Sequence, residues 1–179
     1  MVVCGIEGSN KQRILDSGSC GPGEVQMDMD RPSPEHVAAA DGTWNIDMAA
    51  LKTKSKDAVD NAAGEARRAW VSDGFGVMQE YAQAEAEAKQ YLDAVSANGN
   101  DPTGIEVPSS VQSAADYIGG AALGGANDVL SKAAVMRASL NNIRAERLAR
   151  KASIEASQDV AAINAEVDAA SAALKLLMP

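Results

Sequence analysis

The sequence predicts a mainly α-helical fold: a small N-terminal β unit, an α-helical hairpin or bundle, and a long C-terminal coiled-coil-like helix. Three observations predict it. The stretch from Asn127 to Leu177 holds neither proline nor glycine and is filled with Ala, Leu, Arg, Lys and Glu, the residues that lose least on entering a helix. Alanine dominates the apolar share while aromatics are only 3%, which suits close-packed helices better than a thick interior. The first thirty residues instead show short alternating runs separated by glycine-rich turns. The expected divisions are residues 1–46 (β-rich unit and Pro-rich linker), 47–126 (helical hairpin or bundle) and 127–179 (long helix).

In the first division the runs Val2–Ile6, Gln12–Leu15 and Val25–Met29 read as strands. Gly8-Ser9-Asn10 and the stretch from Gly18 to Gly23 supply turn chemistry between them. Val25, Met27 and Met29 alternate with Gln26, Asp28 and Asp30, the pattern of a half-buried strand. Three short strands are too few to stand alone, so this unit is expected to dock on helices or on another protein. Val25, Met27, Met29 and Trp44 are the expected docking residues. Cys4 and Cys20 lie sixteen apart, which is not a metal-ligand spacing. They either face one another across paired strands or remain free thiols in a cytosol-made chain, and free thiols are the expectation.

Pro32 and Pro34 hold residues 31–36 extended, and Asp41-Gly42-Thr43-Trp44 reads as a tight turn. Asp47 is the expected N-cap of a first helix reaching about Ser72, with an apolar face of Leu51, Ala58, Ala62, Ala66, Ala69 and Trp70. Asp73-Gly74-Phe75-Gly76 is expected to end it. A second helix covers Val77 to Ala97, apolar at Val77, Tyr81, Ala84, Ala88, Tyr91, Leu92 and Val95 and acidic on its other side. A short third helix begins near Pro108, with Ser109 or Ser110 as its cap. Gly119-Gly120 and Gly124-Gly125 follow; no Gly-Lys-Ser or Gly-Lys-Thr accompanies them, so they read as a hinge or a close backbone approach, not a phosphate loop.

The long helix carries the expected oligomer seam. Val160, Ile163, Val167, Ala170, Leu174 and Leu177 step by three and four in alternation, as do Ala133, Met136, Leu140 and Ile143 upstream. The two registers are joined by an eleven-residue step from Ile143 to Ile154, which reads as a stutter. A helix of some 50 residues would span ~75 Å, more surface than the rest of this chain covers. Met136, Leu140, Ile143, Val160, Ile163, Val167, Leu174 and Leu177 are therefore the expected oligomer interface. The bland alternative is a helix lying along its own hairpin neighbours. Arg144, Arg147, Arg150 and Lys151 either meet an acidic surface such as the helix at 80–93 or form a solvated face.

Composition excludes several functions. A net charge of -9 argues against nucleic-acid binding, which needs a basic footprint. Residues from 120 onward are close to neutral, so the acidity belongs to 1–119. Tyr117 to Ala126, the longest weakly polar run, is too short to cross a bilayer, and membrane insertion is not expected. The start of the chain has no basic and apolar signal pattern. No catalytic, cofactor or metal constellation emerges. His36 is the single histidine and sits between prolines and a turn, and Asp28 with Asp30 reads as a solvated strand face rather than a hard-cation site.

The order of these pieces resembles the small tail proteins of tailed bacteriophages, such as tail fibre assembly proteins and minor virion tail components. The resemblance is carried by Pro32, Pro34 and His36, by Asp41, Gly42 and Trp44, by Gly74 through Tyr81, by Glu85 and Ala86, and by the run from Ile143 through Ile154. It covers residues 25–156, and its motifs are short and degenerate. It implies a non-enzymatic structural component of the virion tail, made in the bacterial cytoplasm, that self-associates and docks on other tail or fibre proteins. The trimer is the state that the resemblance implies; the seam composition does not select it. The segment after Ile154 is longer than the assembly-protein pattern, which favours a virion component over an assembly chaperone.

Overall fold

The structure is a computed structural model that describes residues 1–71 and 77–179. Among the described residues five strands precede five helices: β1 (Val2–Ile6), β2 (Gln12–Leu15), β3 (Glu24–Met27), β4 (His36–Ala38), β5 (Trp44–Ile46), α1 (Met48–Trp70), α2 (Val77–Ala97), α3 (Ser109–Ile118), α4 (Ala122–Ala156) and α5 (Val160–Leu176). The mainly helical class with a small N-terminal β part is as the sequence predicts. The expected Gly74-Phe75-Gly76 turn lies outside the described residues.

Two compact units form. One comprises Met1–Asp60 with Ala149–Ala169, the other Asn61–Leu148 with Ala170–Pro179. The sequence reading divides the chain after residues 46 and 126 instead. It treats helices as the property of one division, whereas α1, α4 and α5 each contribute to both units.

In the first unit, β1 is the centre of an antiparallel sheet of order β2-β1-β3. Alternation along β1 places Val3 and Gly5 on one face, opposite Met27 and Val25 of β3. That face closes on a second, two-stranded sheet of β4 and β5, giving a core of Val3, Met27 and Ala38 flanked by Val25 and Trp44. Gly5 is needed there. A Cβ on it would stand 2.8 Å from the Ala38 Cβ. The β4–β5 hairpin is absent from the sequence reading, which sees only an extended linker and a turn. The turn is where it was expected: the Asp41 carboxylate accepts the Thr43 N–H and hydroxyl, and Ala39 N–H donates to Thr43 O. Three-residue strands are too short to show a period.

The face of β1 bearing Cys4 is covered differently. Cys4 is bonded to Cys20 as a disulfide, so the expected free thiols are corrected. Cys4 is 1% exposed, yet the 16–23 loop above it offers only Cys20 and Pro22 as non-polar side chains beyond glycine.

Asp47 caps α1 as expected, its carboxylate accepting Ala49 N–H at 3.0 Å and Ala50 N–H at 3.1 Å. The buried positions of α1 are Leu51, Ser55, Val59, Ala63 and Ala66. The expected face is rotated from this stripe: Ala58 and Ala62 are half-buried and Ala69 is exposed. A serine inside the stripe hid it from an apolar count. The end of α4 lies antiparallel to the start of α1, through Lys56 to Glu155 and Lys151 to Asp60. Arg150 of α4 pairs with Glu166 of α5 at 2.9 Å.

The second unit holds α2 and α3 against the first half of α4. Ala88, Tyr91, Val95, Val111 and Ala126 form its buried cluster. Gly119 ends α3 in a left-handed turn. Ser109 and Ser110 do not cap it; the first helical residue follows Pro108, and Ser110 Oγ donates to Glu87 instead. Gly124 and Gly125 are helical residues of α4, not an interruption before it. Gly125 is the close approach expected as one alternative. A Cβ there would meet Val111 O at 2.5 Å and Ala115 N at 2.6 Å. Backbone cannot yield as a side-chain tip does. Gly125→Ala is therefore expected to destabilise by ~1–2 kcal/mol: overpacking costs of ~1–3 kcal/mol exceed the ~1 kcal/mol that alanine gains in a helix. Gly124→Ala meets only the tip of Ile118, at 3.4 Å, and is expected to be neutral or stabilising. Thermal unfolding followed by circular dichroism separates the two.

The largest departure from expectation lies in the last third. One helix from Asn127 to Leu177 is not formed. The chain leaves α4 at Ala156 and enters α5 at Val160. Ser157 Oγ accepts the Asp159 N–H, and the Asp159 carboxylate accepts the Ala161 N–H at 2.8 Å. Serine and aspartate thus satisfy the backbone locally where a helix would otherwise continue. The eleven-residue step from Ile143 to Ile154 needs no stutter, since eleven residues complete three turns of a straight helix. Both isoleucines lie on α4 and are fully buried.

Candidate functional site

The expected oligomer seam faces inward. Ile143, Ile163 and Leu174 are 0–1% exposed within this single chain, and Met136, Leu140, Val160, Val167 and Leu177 are half-buried. The C-terminus of α5 is tied down in the second unit, where the Trp70 indole N–H donates to Leu177 O. Three of these eight residues are core of the chain that carries them. The 3-4 spacing that marks a coiled coil is also the spacing of an ordinary buried helix face, so periodicity alone does not name the partner.

A second stripe escaped the sequence reading. Val135, Ala138, Asn142 and Ala145 of α4 also step by three and four, and all four are exposed, Val135 by 52%. None is charged. Alanine and asparagine do not register as a hydrophobic seam, although the run of uncharged residues at this spacing was visible.

The expected docking residues are largely internal as well. Met27 is buried, Val25 and Trp44 pack on the same cluster, and only Met29 projects, at 60% exposure. The Trp44 indole N–H donates to Met29 O at 2.9 Å. Strand β3 ends at Met27, because Asp28 N–H turns to Gly42 O. Asp28 and Asp30 therefore lie beyond the strand whose alternation would have placed them on one face.

Within the basic run of α4, Arg150 and Lys151 meet Glu166 and Asp60, and upstream of the run Arg137 lies 2.9 Å from Glu85 of the acidic helix. Lys89 and Arg137 together hold the Glu85 carboxyl below its ordinary range.

One polar cluster has the composition of a hydrolytic centre. Ser33 Oγ lies 2.7 Å from Glu35 Oε2 and 2.9 Å from His36 Nδ1. Its order is wrong for nucleophile activation. A base must stand between the hydroxyl and the acid, and here the hydroxyl stands between the base and the acid. The Lys54 ammonium, 2.7 Å from Glu35 Oε1, and the Ser33 hydroxyl push the Glu35 carboxyl down to about 2, too weak a base to take a proton from serine. The cluster works as a pin between the 33–36 turn and α1. Its effect on stability has a definite sign. Glu35 binds its proton less readily folded than unfolded, so the pin contributes fully above the ordinary glutamate value near 4.5 and is lost as pH falls toward 2. Urea titrations between pH 6 and 2 are expected to show an acid-dependent loss that is smaller in Glu35→Gln.

A shallow groove of about 320 Å³ beside α2 is lined by Glu87, Tyr91, Ile105, Glu106, Pro108 and Ser109. The Glu87 carboxyl is already engaged by Ser110 and Gln83, which lower its proton affinity. No helix of the described residues is long and apolar enough to cross a membrane. The chain matches no protein-family model, no curated protein and no solved structure.

Proposed function

We propose that this chain is a non-enzymatic architectural component of a tailed-phage virion, a small tail, fibre or baseplate-associated subunit. It self-associates through its helices and docks by its N-terminal part on a neighbouring tail protein. The tail context comes from the sequence resemblance. One structural observation supports self-association: besides the apolar positions spent inside the chain, α4 carries a second stripe, Val135, Ala138, Asn142 and Ala145, that is exposed and uncharged. The seam of the assembly is accordingly assigned to the exposed stripe, and the trimer of the resemblance is retained as its state.

Val135→Asp puts a charge in that stripe without touching the buried residues. It is expected to reduce the mass in solution, measured by light scattering, from that of an oligomer to that of one 18.5 kDa chain, with circular dichroism unchanged. A wild-type chain that is monomeric at every concentration contradicts self-association. Val167 is a poorer probe, because it is half-buried in its own chain.

A second reading, an assembly chaperone not retained in the particle, is favoured by the burial of Ile143, Ile163 and Leu174 within one chain. Mass spectrometry of purified particles decides between the two. Stoichiometric presence supports the structural component, and absence supports the chaperone.

A further inference from the structure

The disulfide has a third neighbour. Cys4 Sγ, Cys20 Sγ and a Glu24 carboxylate oxygen lie within 4.8 Å of one another. Glu24 starts β3 and is aimed by two contacts: its carboxylate accepts the Gly21 N–H at 2.7 Å, and the Arg13 guanidinium of β2 grips it across the sheet. Cys4 is fixed by its place on the central strand, and Cys20 lies 3.9 Å from Val3 O. Three metal-ligating side chains from β1, the 16–23 loop and β3 therefore converge on one point of the sheet.

We infer that the dithiol form of this chain binds a thiophilic divalent cation, zinc in the first instance, through Cys4, Cys20 and Glu24. The inference is independent of the proposed tail role. A disulfide itself offers no such site. A phosphine reductant supplies two electrons and becomes its oxide, with water supplying the oxygen and the two protons, and the disulfide is left as two thiols. Metal binding then displaces both thiol protons to solvent, since zinc takes the thiolate. Two thiolates around a tetrahedral zinc, at ~2.3 Å from the metal, stand roughly 3.8 Å apart, a separation that two unbonded sulfurs adopt readily. Charge also balances. Two thiolates and a carboxylate carry three negative charges, Arg13 one positive, and a divalent ion neutralises the remainder. Arg13 orients the carboxylate as outer-shell partners of metal ligands do. Gly18 and Gly23, both at positive φ, give the loop room to adjust. Three protein ligands leave the fourth position to water.

The test uses the full chain, reduced with a phosphine and freed of reductant under anaerobic conditions, with cobalt(II) and zinc as probes. The expected result is one metal per chain by native mass spectrometry, thiolate-to-cobalt charge-transfer absorption, and displacement of cobalt by zinc. Zinc is also expected to restore the amide protection of β1–β3 that reduction removes. Glu24→Gln is expected to weaken binding at least tenfold, and Cys20→Ser to abolish the charge-transfer band. Absence of that band from the reduced wild-type chain overturns the inference. So does equal binding by the oxidised chain, or affinity unchanged in Glu24→Gln. The oxidised control and Glu24→Gln keep the test decisive if Cys20→Ser does not fold.

Discussion

Ile163→Ala is expected to lower the unfolding free energy by ~2–5 kcal/mol, while Val135→Ala changes it by no more than ~0.5 kcal/mol. Both are apolar residues of the C-terminal helices at three-and-four spacing. Ile163 is fully buried, and a truncated side chain there loses its transfer free energy and leaves a cavity. Val135 is half in solvent in the single chain. Domains of this size are commonly stable by only ~5–15 kcal/mol, so the Ile163 substitution removes a large share. Urea unfolding measures both changes, at a concentration low enough that assembly does not add to stability. Equal losses at the two sites would mean that the inner stripe is not core. A loss at Val135 that grows with protein concentration would support its role between chains.

Breaking the Cys4–Cys20 bond is expected to cost ~3 kcal/mol, from the chain entropy that the bond removes from a loop of this length. The cost should fall on the N-terminal sheet. Cys4, buried on one face of β1, is bonded to the 16–23 loop. The other face keeps its own core of Val3, Met27 and Ala38. Hydrogen exchange on reduced protein without metal is expected to show lost protection in β1–β3 and unchanged protection in α2 and α3. Uniform loss across the chain would show the sheet to be coupled to everything else. Undiminished protection in β1 would mean that the sheet does not need its staple.

These two results bear on what the sequence made legible. The three strands of the first sheet, the Asp47 cap, the full extent of α2 and the close approach at Gly125 were readable, because each rests on local chemistry: alternation, a capping carboxylate, a glycine where backbones meet. The β4–β5 hairpin was not, since two strands of three residues carry no period and prolines nearby suggested a plain linker. The break at Ser157–Asp159 was missed for a related reason. It contains neither glycine nor proline, and its two capping side chains act only once the helices on either side are in place. The disulfide depended on strand register, which brings Cys4 within reach of a loop sixteen residues on. The oligomer seam was legible as an apolar stripe but not as to what covers it. Burial within the chain and burial between chains demand the same spacing, and only the three-dimensional arrangement separates Ile143 from Val135. The convergence of Glu24 on the cysteine pair had no sequence signal, because the spacing of Cys4, Cys20 and Glu24 matches no metal motif.

The turn at Ser157–Asp159 decides whether the last third is a rod or a hairpin, and with it which stripe is free for partners. Spin labels at Arg144 and Ala172, placed symmetrically about that turn on exposed positions, test it directly. A hairpin puts the two helices side by side, with axes ~8–10 Å apart and labels within roughly 25 Å. A continuous helix would separate the same residues by ~42 Å, at 1.5 Å for each of the 28 intervening steps. A short distance by double electron–electron resonance is the predicted result; a single population near 42 Å would contradict the hairpin and return the inner stripe to the surface.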